Sequence, residues 1–172
     1  MCKWFCVDEC QVLIVAAGRN GILMLNKNGK TTCMISPSDF SRISIKPIIQ
    51  CYHLKAIGSL LTISLNRTIK LWNLKNSTML VMKGEKIHHP DMLVTNTALS
   101  NDNRYLVITM SDRMFEIYEL QSNDDGVLHL VNFGGDIMSS PLRSCSFSHD
   151  AKYLGIGAED GSITVSFFFF KK

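Results

Sequence analysis

Apolar and polar residues alternate with a period of two over many short stretches of this chain, and four of those stretches share one layout. Each opens on an Asx residue and continues into a run of aliphatic, β-branched and aromatic residues: NGILMLN at 20–26, NRTIKLWN at 66–73, DRMFEIYE at 112–119 and DGSITVSF at 160–167. Alternation of this kind fits a half-buried strand, and an Asx residue ahead of it supplies a tight turn. None of the four shows the three-and-four spacing of an amphipathic helix. The anchors Asn20, Asn66, Asp112 and Asp160 lie 46, 46 and 48 residues apart.

The third and fourth stretches also agree upstream of their anchors. LSNDNRYLVITMSD at 99–112 superposes on FSHDAKYLGIGAED at 147–160 without a gap, placing Ser100, Asp102, Tyr105, Leu106 and Asp112 on Ser148, Asp150, Tyr153, Leu154 and Asp160. A repeat in the forties that holds several short strands is the layout of a propeller blade. The predicted strands are 11–18, 22–25 and 31–35, with an inner strand drawn from 1–9; 48–54, 60–64, 69–74 and 78–82; 94–99, 105–109, 115–120 and 127–133; and 142–147, 153–157 and 163–167. Proline and polar clusters assign 36–47, 83–91 and 134–141 to connections. The chain therefore reads as all-β, with blades at about 1–35, 48–82, 92–133 and 142–167 and an atypical tail at 168–172.

Those phrases resemble the WD40 repeat, in which a Ser- and Asp-containing turn, a strand, an Asp turn and a strand ending in Trp-Asp follow one another. The resemblance runs from about residue 11 to about 165 and implies a WD40-like β-propeller fragment of three blades plus a partial fourth, built from antiparallel strands. It gives Ser64, Asn66, Trp72, Asn73, Asp102, Asp112, Asp150 and Asp160 structural roles in the repeat. Only the second unit keeps the Trp, followed by Asn73; the third has Tyr118-Glu119, the first Asn26 and the fourth Ser166. In the family a His, a strand Ser or Thr, the turn Asp and the Trp share a buried hydrogen-bond network. Ser64, Asn66 and Trp72 can keep part of it here, and the other units are expected to close by ordinary apolar packing. The stretches 13–30 and 142–165 also resemble, more weakly, the WD40 region of apoptotic protease-activating factors, which implies a regulatory propeller.

Composition narrows the partners. A chain of 172 residues that is 46% hydrophobic and 19% charged can bury one substantial core. At roughly 40–45 residues per blade and about 4–8 blades per ring, however, it supplies only part of a propeller. It is expected to be a piece of a larger propeller, a truncated isoform or the product of an incomplete gene model. Phe167–Phe170 followed by Lys171 and Lys172 reads as a mis-spliced or read-through end in preference to an exposed patch. The net charge of +3 is spread along the chain, which leaves no clustered basic footprint for nucleic acid. No apolar run approaches the ~20 residues that span a bilayer, so no membrane partner is expected. Six cysteines without a secreted framework point to a reduced, cytoplasmic setting.

The candidate chemistry is thin. Ser148-His149-Asp150 carries the letters of a hydrolase triad, but three adjacent turn residues cannot reach one another in the required order, and Ser100-Asn101-Asp102 occupies the same turn without the His. Cys2, Cys6 and Cys10 lack zinc-site spacing, and no glycine pair opens a phosphate-binding helix. No catalytic residue, cofactor or metal is expected. The reading is a non-catalytic protein–protein interaction scaffold, in the narrower form a regulatory propeller of an apoptosome-type activator, with other proteins or the missing blades of the same propeller as partners. Its binding surface would be the loops around Asn20, Arg67, Arg113 and Glu159 with the connections 83–91 and 134–141; the candidate contacts are Arg67, Arg113, His88, His89 and Glu159. The alternatives are an enzyme with a site in a propeller channel, which needs titratable residues on the innermost strands, and a fragment without function.

Overall fold

The computed structural model describes residues 2–7, 10–17, 22–27, 30–35, 48–73, 79–80, 92–122 and 128–167, with side chains at 48–71, 92–121 and 129–167. The chain divides into two units, Met1–Val81 and Met82–Lys172. In the first, β1 (Cys2–Val7), β2 (Cys10–Ala17), β3 (Ile22–Lys27) and β4 (Lys30–Ile35) form one antiparallel sheet in chain order. The apolar run QVLIVAA becomes the second strand of that sheet, and the stretch ahead of it supplies the first. A second sheet follows: β5 (Ile48–Leu54), β6 (Ser59–Ser64), β7 (Ile69–Asn73) and the two-residue β8 (Met79–Leu80). A single 3₁₀ turn, Lys55–Ile57, links β5 to β6 and ends on Gly58 at φ 57°, a left-handed position that glycine takes without steric cost. Leu60, Leu61 and Ile63 are fully buried.

In the second unit, β9 (Val94–Leu99), β10 (Tyr105–Met110), β11 (Met114–Ser122) and β12 (Leu128–Ile137) form a four-stranded sheet. β13 (Leu142–Phe147), β14 (Tyr153–Ala158) and β15 (Ile163–Phe167) form a three-stranded one. Every residue of β10 is buried, as its unbroken apolar run YLVITM requires of a strand covered on both faces. The two sheets pack face to face. Tyr105, Val107, Phe115 and Ile117 of the four-stranded sheet share a buried cluster with Leu142, Leu154 and Ile156 of the other, edged by Ala98, Met138, Cys145, Phe147 and Ala158. Side chains also join the two sheets: Asn96 Nδ2 donates to the Arg143 carbonyl at 3.3 Å, and the Asn101 side-chain amide donates to His149 Nδ1 at 2.9 Å and to its carbonyl at 3.2 Å.

Three expectations change. β12 runs to Ile137 instead of ending at 133, so Gly134 and Gly135 belong to a strand and not to the connection. The register shifts between Ile117 and Tyr118, where Gly134 takes φ 156°, and Gly135 lies so close to β11 that a Cβ there would overlap the Phe115 carbonyl oxygen. The glycines admit a bulge and a close approach. The outer strand of the second sheet, expected over 78–82, is only Met79–Leu80. The third unit also does not close by apolar packing alone. Glu119, at the position of the repeat's Asp, accepts from Arg104 Nε at 2.7 Å, from Gln121 Nε2 at 2.8 Å and from the Tyr105 hydroxyl at 3.4 Å. Those donors, Gln121 first and then Arg104, hold its carboxyl below the usual range against the opposing effect of burial.

Candidate protein-interaction surface

Two kinds of turn recur, and they fall at opposite ends of the sheets. At one end, Ser100 and Ser148 each hold a five-residue turn closed. The hydroxyl of Ser100 donates to Asp102 and accepts from the Tyr105 amide at 2.8 Å, while Asp102 also takes the Arg104 amide at 3.1 Å. Forty-eight residues on, the Ser148 hydroxyl donates to Asp150 at 2.7 Å and accepts from the Tyr153 amide at 3.0 Å, while Asp150 takes the Lys152 amide at 3.2 Å. In both turns one non-glycine residue sits in the left-handed region, Asn103 at φ 59° and Ala151 at φ 57°. The Ser148 hydroxyl, followed by the Lys152 amide, holds the exposed Asp150 carboxyl down at about 2. Ser148 therefore spends its proton on Asp150 and not on His149, which turns instead to Asn101. The Ser-His-Asp sequence is a turn motif, as the repeat predicts.

At the other end lie the Asx anchors. Asn66 Oδ1 accepts from the Thr68 amide at 3.4 Å, Asp112 Oδ1 from the Met114 amide at 3.3 Å and Asp160 Oδ1 from the Ser162 amide at 2.9 Å. Each anchor is followed by a left-handed residue: Arg67 at φ 65°, Arg113 at φ 74° and Gly161 at φ 83°. An Asx side chain that binds the backbone two residues on fixes such a turn, so the residue that follows is presented by a rigid loop. Arg113 is exposed there. Arg67 holds the same turn position but is only 8% exposed, which sets it in the packing of the second sheet. Ser64 closes that loop through its backbone, donating to the Thr68 carbonyl at 2.9 Å and accepting from the Arg67 amide at 3.0 Å. Trp72 and Asn73 lie in β7, with side chains outside the described residues. Asn20, His88, His89, the connection 83–91 and the tail 168–172 lie outside the described residues altogether.

Within the second unit the fold gathers Arg113 and Glu159 at one end. The carbonyl of Arg113 accepts from the Met138 amide at 3.0 Å, and the amide of Glu159 donates to the Pro141 carbonyl at 2.9 Å, so the connection after β12 is tied to both turns. The carboxylate of Glu159 pairs with Arg143. Leu93, bonded to Ser111 through both its carbonyl and its amide, and Ile137, 60% exposed, add apolar surface beside them. The sequence had pointed to the two turn residues and to part of the connection. It gave no reason to pick Arg143, although an Arg at the start of β13 falls opposite the turn before β15 once the register is known.

Other chemistry on the described residues is structural. Burial pushes the Cys145 thiol up to about 12, despite its hydrogen bond with Thr109, so at neutral pH it is no nucleophile. Among the described residues no group of three or more His, Cys, Asp or Glu could hold a metal ion, and no helix is long and apolar enough to cross a membrane.

No protein-family model matches the sequence, and no curated protein does. Solved structures do match. One is the C-terminal WD40 domain of Sif2, similar at a TM-score of 0.75 and 11% identity over 99% of this chain and 46% of that one. The chain thus spans less than half of that chain's length. The fold is that of a WD40-type β-propeller fragment, and its described residues supply three four-stranded blades and a three-stranded fourth.

Proposed function

We propose that the chain is a non-catalytic protein-interaction scaffold whose contact surface is the end of the second unit carrying Arg113, Ile137, Arg143 and Glu159. The observation that carries this reading is the loop geometry there. Arg113 stands on an Asx-fixed turn that is hydrogen-bonded to the segment after β12, beside exposed Ile137 and Leu93 and near an Arg143–Glu159 pair. Apolar area bordered by charged groups, with an Arg held in place before binding, is the composition of an interface with a protein. The innermost strand β13 has one charged residue, Arg143, β9 has none, and the thiol of Cys145 is protonated, which disfavours a channel enzyme. The finer reading, a regulatory propeller of an apoptotic protease activator, draws its support from the sequence resemblance.

A photo-crosslinking residue placed at Ile137, and in a second protein at Lys152 on the opposite end, tests the scaffold. The expected result is a discrete protein adduct from position 137 that Arg113→Glu weakens about tenfold or more, as loss of an anchoring Arg does, with none from 152. Equal labelling from both positions, insensitive to Arg113→Glu, would refute the assignment of this end.

A further inference from the structure

Two of the four prolines in the chain follow a serine, in Ser36-Pro37-Ser38-Asp39 and in Ser140-Pro141-Leu142-Arg143. Only the second carries a base three residues after the serine. It lies in the bend between two strands, since β12 ends at Ile137 and β13 begins at Leu142. Ser139 is exposed there and Ser140 is half-buried. The bend is tied on each side: the Met138 amide donates to the Arg113 carbonyl at 3.0 Å, and the Glu159 amide donates to the Pro141 carbonyl at 2.9 Å. Proline biases the residue before it toward extended backbone, and Leu142 and Arg143 open a strand, so the segment from Ser140 to Arg143 is presented extended. Arg143 is the extra residue of a register shift between Leu142 and Ser144. Its side chain, 67% exposed, pairs with Glu159.

We infer that Ser140 is a phosphorylation site for a proline-directed protein kinase, and that its phosphate takes Arg143 from Glu159. The chemistry of the segment selects that modification. A peptide groove with no acceptor for the backbone N–H after the target hydroxyl rejects every residue there except proline, which has no N–H to leave unpaired. A base three residues on, projecting from an extended segment, supplies the charge that such a kinase reads. The reaction moves the γ-phosphoryl group of ATP. A bond forms between Ser140 Oγ and the γ-phosphorus, the bond from that phosphorus to the β,γ-bridging oxygen breaks, ADP leaves, and the hydroxyl proton passes to the kinase's base. Leu142 is fully buried, so the kinase reaches the segment when the first residues of β13 open, which costs less at a strand end beside a bulge than in its middle. The product carries about −1.5 to −2 charges at pH 7, on the segment whose Pro141 carbonyl is bonded to Glu159. It repels that carboxylate and attracts the Arg143 guanidinium, which exchanges an exposed ion pair, a weak contact in water, for a charge-assisted bond to phosphate. Neither the site nor the exchange requires that this end bind a protein.

Incubating the whole 172-residue chain with a purified kinase of this class and magnesium ATP, followed by peptide mapping, tests the site. A phosphate on Ser140 is expected. Ser36, with Asp39 in the place of Arg143, is expected to take label at least about tenfold more slowly. Ser140→Ala should abolish the label in this segment, and Arg143→Ala, at an exposed position, should slow it about tenfold or more. No label on Ser140 in the folded chain, equal labelling of Ser36 and Ser140, or a rate at Ser140 that Arg143→Ala leaves unchanged would overturn the assignment. The exchange of partners is read by NMR of the phosphorylated chain. The Arg143 Nε–H resonance is expected to move on phosphorylation and to follow the second ionisation of the phosphate, near pH ~6. A resonance that stays at its position in the unmodified chain throughout that range would show that Arg143 remains with Glu159, and would overturn that part of the inference.

Discussion

Leu154→Ala is expected to lower the stability of the second unit by about 2–5 kcal/mol, the range for truncating a fully buried leucine where the neighbours relax only in part. Leu154 has no exposed surface and sits in the cluster that joins the two sheets, against Tyr105, Val107, Phe115 and Ile117 from one side and Leu142 and Ile156 from the other. All seven residues of this cluster are held on strands whose registers are fixed by their pairing, so the cavity is not readily refilled. The comparison that makes the result specific is Ile163→Ala, one strand away and 76% exposed. It removes a similar number of methyl groups and is expected to change stability by no more than about 0.5 kcal/mol. Urea denaturation of the two variants checks both. Equal losses would mean that the burial of the two faces has been assigned wrongly.

The second large effect is expected from Gly135→Ala, which should cost at least about 2 kcal/mol, within the range of forced backbone shifts from overpacking. The methyl group would overlap the carbonyl oxygen of Phe115, and the next nearest atom is also backbone, the Cα of Glu116 at 3.3 Å. Relief requires β11 and β12 to part, at a place where Phe115 is itself buried in the core. Gly134→Ala, where a Cβ would meet nothing within 4 Å but φ is 156°, serves as the control for backbone freedom without collision. Thermal melting of the two variants separates the contributions: a Gly135→Ala protein as stable as the parent would show that the strands do not approach as described.

Much of this fold could be read from the chain because two signals agreed, period-two alternation and an Asx residue at a constant spacing. β9, β13 and β15 fall where alternation and turn residues place them. The errors come from residues whose local chemistry is ambiguous. Gly134-Gly135-Asp136 has the composition of a loop, and only the cross-strand neighbour Phe115 shows that the glycines are required inside a strand. Arg67 and Arg113 occupy the same turn with nearly the same φ, yet one is buried and the other exposed; burial of a turn depends on what packs around it, which one segment's pattern does not contain. The Glu119 network was within reach. Once Tyr105 and Glu119 are paired across antiparallel strands, Arg104 and Gln121 become neighbours of the carboxylate. The interaction end was half visible: the turns that carry Arg113 and Glu159 follow from the repeat, whereas the Arg143 pairing and the exposure of Ile137 depend on register and on the true end of β12.

The measurement that tests the central claim most directly is native-state hydrogen exchange of the protein, read amide by amide across the second unit. If sheets three and four are two copies of one repeat with one face covered and the next open, the amides of Tyr105–Met110 and of Leu154 and Ile156 should exchange only through global unfolding, as core strands do. In Ile163–Phe167, amides bonded to β14 should be protected and the alternate ones should exchange fast. Uniform slow exchange along Ile163–Phe167, or fast exchange in Tyr105–Met110, would contradict the account.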